Sequence, residues 1–138
     1  MTSSNAARWA LLADPEAYGW SQLVSEKRAV WDGIKNARAQ QNLRHCKVGD
    51  LALIYHTAPD KAILGTARVV REAFPDPTAP ERAVIEIEPI APLPRPLTLA
   101  EMKADSMLSQ MSFVKMPRVA VQPVTADQWE RVIELSGA

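Results

Sequence analysis

A single cysteine, Cys46, in 138 residues leaves no partner for an intrachain disulfide and too few thiolates for a multi-cysteine zinc site, and it fits a reducing cytosol. Five glycines leave no room for a dinucleotide-binding loop, and the chain has no Gly-x-x-x-x-Gly-Lys, Gly-x-Ser-x-Gly or His-Glu-x-x-His motif. With only two histidines, no metal and no cofactor are expected. The longest apolar stretches, such as Leu51 to Tyr55, fall far short of the roughly 18 residues of a transmembrane helix. Residues 1–7 are polar and lack a basic cluster, so they read as a flexible tail and not as a secretory signal. A cytoplasmic protein without a membrane partner is the expectation.

What is present is an ordinary globular composition, 47% apolar and 23% charged, expected to form one domain over residues 1–138. Nothing sets the oligomeric state, and a monomer is the expectation. The net charge is zero, yet Lys27 to Val48 holds six basic residues (Lys27, Arg28, Lys35, Arg38, Arg44, Lys47) against one acid, Asp32. That asymmetry points to a polyanionic partner, although a solvated helix face would show the same pattern. Lys35, Arg38, Arg44 and Lys47 are the candidate contacts to a nucleic-acid backbone.

Trp9 to Ala13 reads as a buried strand stopped by Asp14-Pro15, and Trp20, Leu23, Val24 and Lys27 share helical spacing. Residues 34–43 read as a surface helix or loop. Leu51 to His56 is apolar on both faces, Ile63 to Phe74 reads as a long strand with Gly65 at a bulge or close approach, and Ala83 to Glu88 alternates. The proline-rich stretches 74–80 and 89–96 read as extended loops. Thr98-x-x-Glu101 and Thr125-x-x-Gln128 have capping-box spacing, and Val119 to Val124 reads as a strand between the two helices they open. Five or six short strands with peripheral helices make an α+β domain on a curled sheet.

Enzyme signals are weak. His45-Cys46 are adjacent, whereas nucleophile and base usually come from distant segments. Asp14 and Asp32 could pair for acid/base work, but each also reads as a turn residue. No catalytic residue is assigned. The four tryptophans say more. Trp9, Trp20 and Trp129 have apolar partners, while Trp31 sits inside the basic segment ahead of Asp32, Lys35 and Asn36. A π-face with polar groups at its rim is what a flipped-out base requires.

Trp9-Ala10-Leu11-Leu12-Ala13-Asp14-Pro15, Tyr18-Gly19-Trp20, Trp31-Asp32-Gly33-Ile34-Lys35-Asn36, Val48-Gly49-Asp50, Tyr55-His56, residues 69–73, residues 99–105 and Val121-Gln122-Pro123-Val124 resemble, in order, the landmarks of the EVE domain family. The resemblance implies a PUA-like fold, a mixed β pseudo-barrel with surrounding helices, and a cleft related to those of YTH and ASCH domains. It implies a non-catalytic module that recognises a modified nucleobase, a modified cytosine in DNA above all, in an aromatic-walled cleft. Trp31 then looks like the cage wall, Asn36 and the backbone at Asp32 like base-edge contacts, Tyr55 and His56 like the opposite side, and Arg118 like the family's arginine near the cleft. Leu12, Ala13 and Ala120 stand where family members commonly carry polar residues, so Leu12 and Ala13 are expected to make the rim more apolar. Two alternatives remain open: a base- or nucleotide-acting enzyme with His56 as acid or base, and a small-molecule or protein-interaction scaffold that has lost base recognition.

Overall fold

The computed structural model describes residues 6–137. In chain order the elements are β1 (Arg8–Ala13), α1 (Trp20–Glu26), β2 (Ala29–Trp31), α2 (Ala37–Arg44), β3 (Leu51–His56), β4 (Ala62–Asp76), β5 (Ala79–Thr98), α3 (Leu99–Ala104), a 3-10 turn at Leu108–Gln110, α4 (Ser112–Lys115), β6 (Val121–Val124) and α5 (Ala126–Leu135). None of the described helices is long and apolar enough to cross a membrane. Of the expected flexible tail, residues 1–5 lie outside the described residues. Ala7 is tied to the sheet: its amide donates to Asp50 Oδ1 (3.1 Å) and its carbonyl accepts from the Leu51 amide (3.0 Å).

The six strands form one mixed sheet in the order β2-β5-β4-β3-β1-β6. β1 and β3 run parallel and every other pair is antiparallel. One face of every strand feeds the same core: Trp9 and Leu11 of β1, Trp31 of β2, Ile54 of β3, Val69 of β4, Ile85 and Ile87 of β5, and Val121 of β6, with Trp20 and Leu23 of α1 and Leu43 of α2. A sheet whose two edge strands share one interior is curled. Its edges do not pair, and α2 spans the gap. Gln40 exchanges two hydrogen bonds with Ala83 on β5 (2.8 and 3.1 Å), and Asn42 Nδ2 donates to the Val121 carbonyl on β6 (2.7 Å).

The outer face of the middle strands builds a second core. Ala10 and Leu12 of β1, Leu53 and Tyr55 of β3, and Leu93 and Leu97 of β5 are covered by Met102, Leu108, Phe113, Trp129 and Val132. This is why β1 and β3 are apolar at successive positions: both faces are buried. Each leucine, methionine, valine and phenylalanine among them contributes roughly 1.5–3 kcal/mol by leaving water. The carboxylate of Asp50 links the two strands by accepting from Trp9 Nε1 (2.9 Å), the Ala7 amide and the Lys47 amide (2.8 Å).

Both capping boxes open true helices: Thr98 and Glu101 bond reciprocally at the start of α3, as Thr125 and Gln128 do at the start of α5. Two expectations are corrected. The proline-rich stretches are not loops, because Pro75 lies in β4 and Pro80, Pro89, Pro92, Pro94 and Pro96 lie in β5. β2 pairs with β5 only at Ile85–Ile87, so beyond Glu88 one side of β5 is a free edge where a missing N–H costs no ladder bond. In α1, Val24 does not join Trp20 and Leu23 in the core and is 45% exposed, since a helix of two turns turns only a narrow stripe inward.

Candidate nucleic-acid interface

Where the curled sheet fails to close there is a cleft of about 480 Å³. Leu12, Ala13 and Asp14 line it from the end of β1, Ala17 and Tyr18 from the following loop, Val30 and Trp31 from β2, Asp32, Gly33 and Ile34 from the turn after it, and Ala120 from the residue before β6. The Leu12 amide donates to the Ala120 carbonyl (2.8 Å), which holds the β1 and β6 sides of the rim together. Gly33 turns the chain at φ +76°, a left-handed conformation that glycine adopts without strain.

Two aromatic rings set the shape of the site. Tyr18 and Trp31 stand edge to face, with centroids 6.0 Å apart and planes at 84°. They form a corner, not a sandwich. Trp31 is 7% exposed, with its bulk in the inner core and its remaining surface at the cleft. Tyr18 is held at both ends: its amide donates to the Asp14 carbonyl (2.9 Å) and its hydroxyl to Glu26 Oε1 (2.7 Å). Partial burial, and then the Glu26 carboxylate, push its pKa upward, so the phenol stays neutral.

Of the residues expected at the site, the structure brings Leu12, Ala13, Trp31 and Asp32 to this cleft. Asn36, Tyr55, His56 and Arg118 are elsewhere. Asn36 is the N-cap of α2, with Oδ1 accepting from the Ala39 amide (3.0 Å). Tyr55 points into the second core, 5.0 Å from the Phe113 ring, and burial raises its pKa. His56 is buried beneath α1: Nε2 accepts from the Trp20 amide (2.9 Å), which leaves Nδ1 as the donor to Asp60 Oδ2 (2.8 Å). Alternation along β3 sends Tyr55 and His56 to opposite faces, so they cannot form one wall. Arg118 is exposed in the turn two residues before Ala120. Tyr18 and Asp14 were not expected at the site. The aromatic at 18 was visible in the Tyr18-Gly19-Trp20 block, but only folding shows that it meets Trp31.

A family model for the EVE domain matches residues 7–135. The chain belongs to the EVE domain family. Thymocyte nuclear protein 1 of Danio rerio is 26% identical over 165 aligned positions, covering 94% of this chain and 71% of that protein. The Rhodopseudomonas palustris protein Rpa0253 is 35% identical and superposes with a TM-score of 0.91, over 96% of this chain and 94% of its own. Human THYN1 protein, solved in complex with 5-methylcytosine containing DNA, has the same fold at a TM-score of 0.85 and 20% identity, over 96% of this chain and 99% of its own. The α+β, PUA-like mixed sheet agrees with these likenesses.

The basic segment of this EVE domain is partly neutralised. Arg28 pairs with Glu86 (2.7 Å) and Lys47 lies 4.0 Å from Glu72. Among the described residues, Lys35, Arg38, Arg44 and Arg118 make no ion pair. Lys35 follows Ile34 of the cleft, and Arg38 touches Met116 Sδ (3.6 Å) in the segment that carries Arg118. Arg44 and Lys47 sit at and beyond the far end of α2, one helix length away from Asn36, about 12 Å at 1.5 Å per residue. The Cys46 thiol is buried, and desolvation, then Asp50, push its pKa up to about 12. It is a poor nucleophile at neutral pH. No group of three or more His, Cys, Asp or Glu among the described residues is placed to hold a metal ion.

Proposed function

We propose that this EVE domain is a non-catalytic module that binds nucleic acid and takes a modified base, a modified cytosine in DNA, into the cleft beside Trp31. The observation that carries the reading is the Tyr18–Trp31 corner at the mouth of a cleft of about 480 Å³. A base stacked on Trp31 would meet Tyr18 at its rim, and the apolar surface of Leu12, Ala13 and Ala120 would suit an added methyl group. Stacking on one aromatic ring contributes about 1–3 kcal/mol per base. Lys35 follows Ile34 of the cleft lining and Arg118 lies two residues before Ala120. With Arg38 they are exposed and without an ion pair among the described residues, so they can neutralise phosphates, which supply affinity without sequence information. Human THYN1 protein, of the same fold, has been solved with 5-methylcytosine containing DNA, which supports this choice of ligand.

The enzyme reading has less support, since both His56 nitrogens are engaged within the fold and the cleft lining includes neither His56 nor Cys46. The test is binding to matched strands, with and without 5-methylcytosine, at two salt concentrations. A preference for the modified strand that persists at the higher salt supports the reading, whereas equal binding at both salts leaves the scaffold alternative in its place.

A further inference from the structure

The cleft lies beside a basic segment, yet no cationic side chain lines it. Its titratable residues are Asp14, Tyr18 and Asp32. Tyr18 directs its hydroxyl proton to Glu26, and Asp14 uses Oδ1 to accept from the Glu16 amide (3.0 Å) in a local turn. Asp32 is exposed at the rim, next to Trp31, and its carboxylate makes no hydrogen bond or ion pair among the described residues. A carboxylate only accepts. A base stacked on Trp31 therefore meets an acceptor at its edge with no cation to balance it. An exocyclic amino group satisfies that acceptor. A carbonyl at the same position places two acceptors face to face, one of them charged, and so forms no hydrogen bond with Asp32.

We infer that Asp32 makes the cleft selective for bases that present an exocyclic amino group, so that it takes a 5-methylated 4-aminopyrimidine and rejects the 4-oxopyrimidine with the same methyl group, thymine. The inference rests on the base-binding reading above and adds to it the group that separates cytosine from thymine. The methyl-accommodating apolar wall cannot make that distinction, because the two bases carry the same methyl.

The test is fluorescence anisotropy with oligonucleotides that differ at one base: 5-methylcytosine, thymine or N6-methyladenine. The wild-type protein should bind the 5-methylcytosine strand about tenfold or more tighter than the thymine strand. Asp32→Asn replaces an obligate acceptor with an amide that can also donate, and should narrow that ratio to about threefold or less. Asp14→Asn should change the ratio less. Because each variant is judged by a ratio between strands, a loss of folded protein does not imitate the effect. Tighter binding of the N6-methyladenine strand than of the thymine strand would extend the amino rule to purines, whereas a response confined to cytosine would restrict it to pyrimidines; either supports the inference. Equal binding of 5-methylcytosine and thymine, with both weakened by Trp31→Ala, overturns the role of Asp32 and leaves the base-binding reading standing. Indifference of all strands to Trp31→Ala removes both.

Discussion

The indole of Trp20 occupies the space that a side chain at residue 65 would need: a Cβ built on Gly65 lies 2.4 Å from Cζ2 of Trp20. Gly65 sits where the registers of β4 with β3 and with β5 both shift, so the strand bends toward α1 at the point where the indole lies on its backbone. Gly65→Ala should therefore force Trp20 aside and destabilise the domain by about 1–3 kcal/mol, the usual range for an overpacked core. Thermal or urea unfolding checks this. A variant as stable as wild type would show that α1 yields freely.

The same helix rests on His56. Its Nε2 satisfies the buried Trp20 amide, the first residue of α1. Removing that acceptor with His56→Ala leaves a buried N–H without a partner and should cost about 1–3 kcal/mol. A structural His56 shows itself as a fall in unfolding midpoint with no nucleoside turnover in either protein. Turnover in the wild type that the substitution abolishes would restore the enzyme reading.

How much of this was legible follows from the range of the forces involved. Local signals stood out: Thr98 with Glu101 and Thr125 with Gln128 are three residues apart and bond directly, and Leu51 to His56 is apolar at successive positions because both its faces are covered. The prolines misled because a strand tolerates them where it has a neighbour on one side only, and the short β2 is what leaves β5 without one beyond Glu88. At the site, Trp31 was legible as an aromatic beside a turn. Its partner Tyr18 was not, since strand curl brings the two rings together. His56 and Arg118 resembled family positions, but nothing in the sequence says that Trp20 uses the imidazole or that Arg118 stays in the turn outside the cleft.

Asp105 anchors the far side of the molecule. Its carboxylate accepts from Arg131 (2.7 and 2.9 Å) and from the Leu108 and Met107 amides (3.0 and 3.1 Å). The Arg131 guanidinium first, then these amides, hold its pKa below the ordinary 3.8. A carboxyl with a lowered folded pKa stabilises the fold fully above its unfolded pKa, and the contribution disappears as pH falls through the folded value. Asp105→Asn should thus lower the unfolding temperature at pH 7. The gap should close on acidification only below about pH 4. A gap that stays constant from pH 7 to pH 2 would show that the carboxylate charge contributes nothing.

The last expectation separates the contacts that hold a strand from those that read a base. Arg38 stands at the start of α2 against Met116, and Arg44 at its far end, where it donates to the Glu81 carbonyl (3.2 Å). Arg38→Ala should weaken binding to modified and unmodified strands alike and flatten the dependence of log K on log salt by about 0.9 for a duplex, the value of one phosphate contact. Arg44→Ala should do less, because its distance from the mouth puts it outside the path of a strand whose base has entered beside Trp31. Trp31→Ala should leave the salt slope intact and remove most of the preference for the modified strand, a loss of about 1–3 kcal/mol. Tyr18→Phe keeps the ring but releases Glu26, so it tests whether the corner must be held rigid. A preference that falls with Tyr18→Phe at unchanged salt slope places the Glu26 bond in recognition, whereas an unchanged preference assigns recognition to the ring alone. Should Arg44→Ala flatten the slope as much as Arg38→Ala, the strand runs the length of α2 and the division of the basic segment drawn from its geometry is wrong.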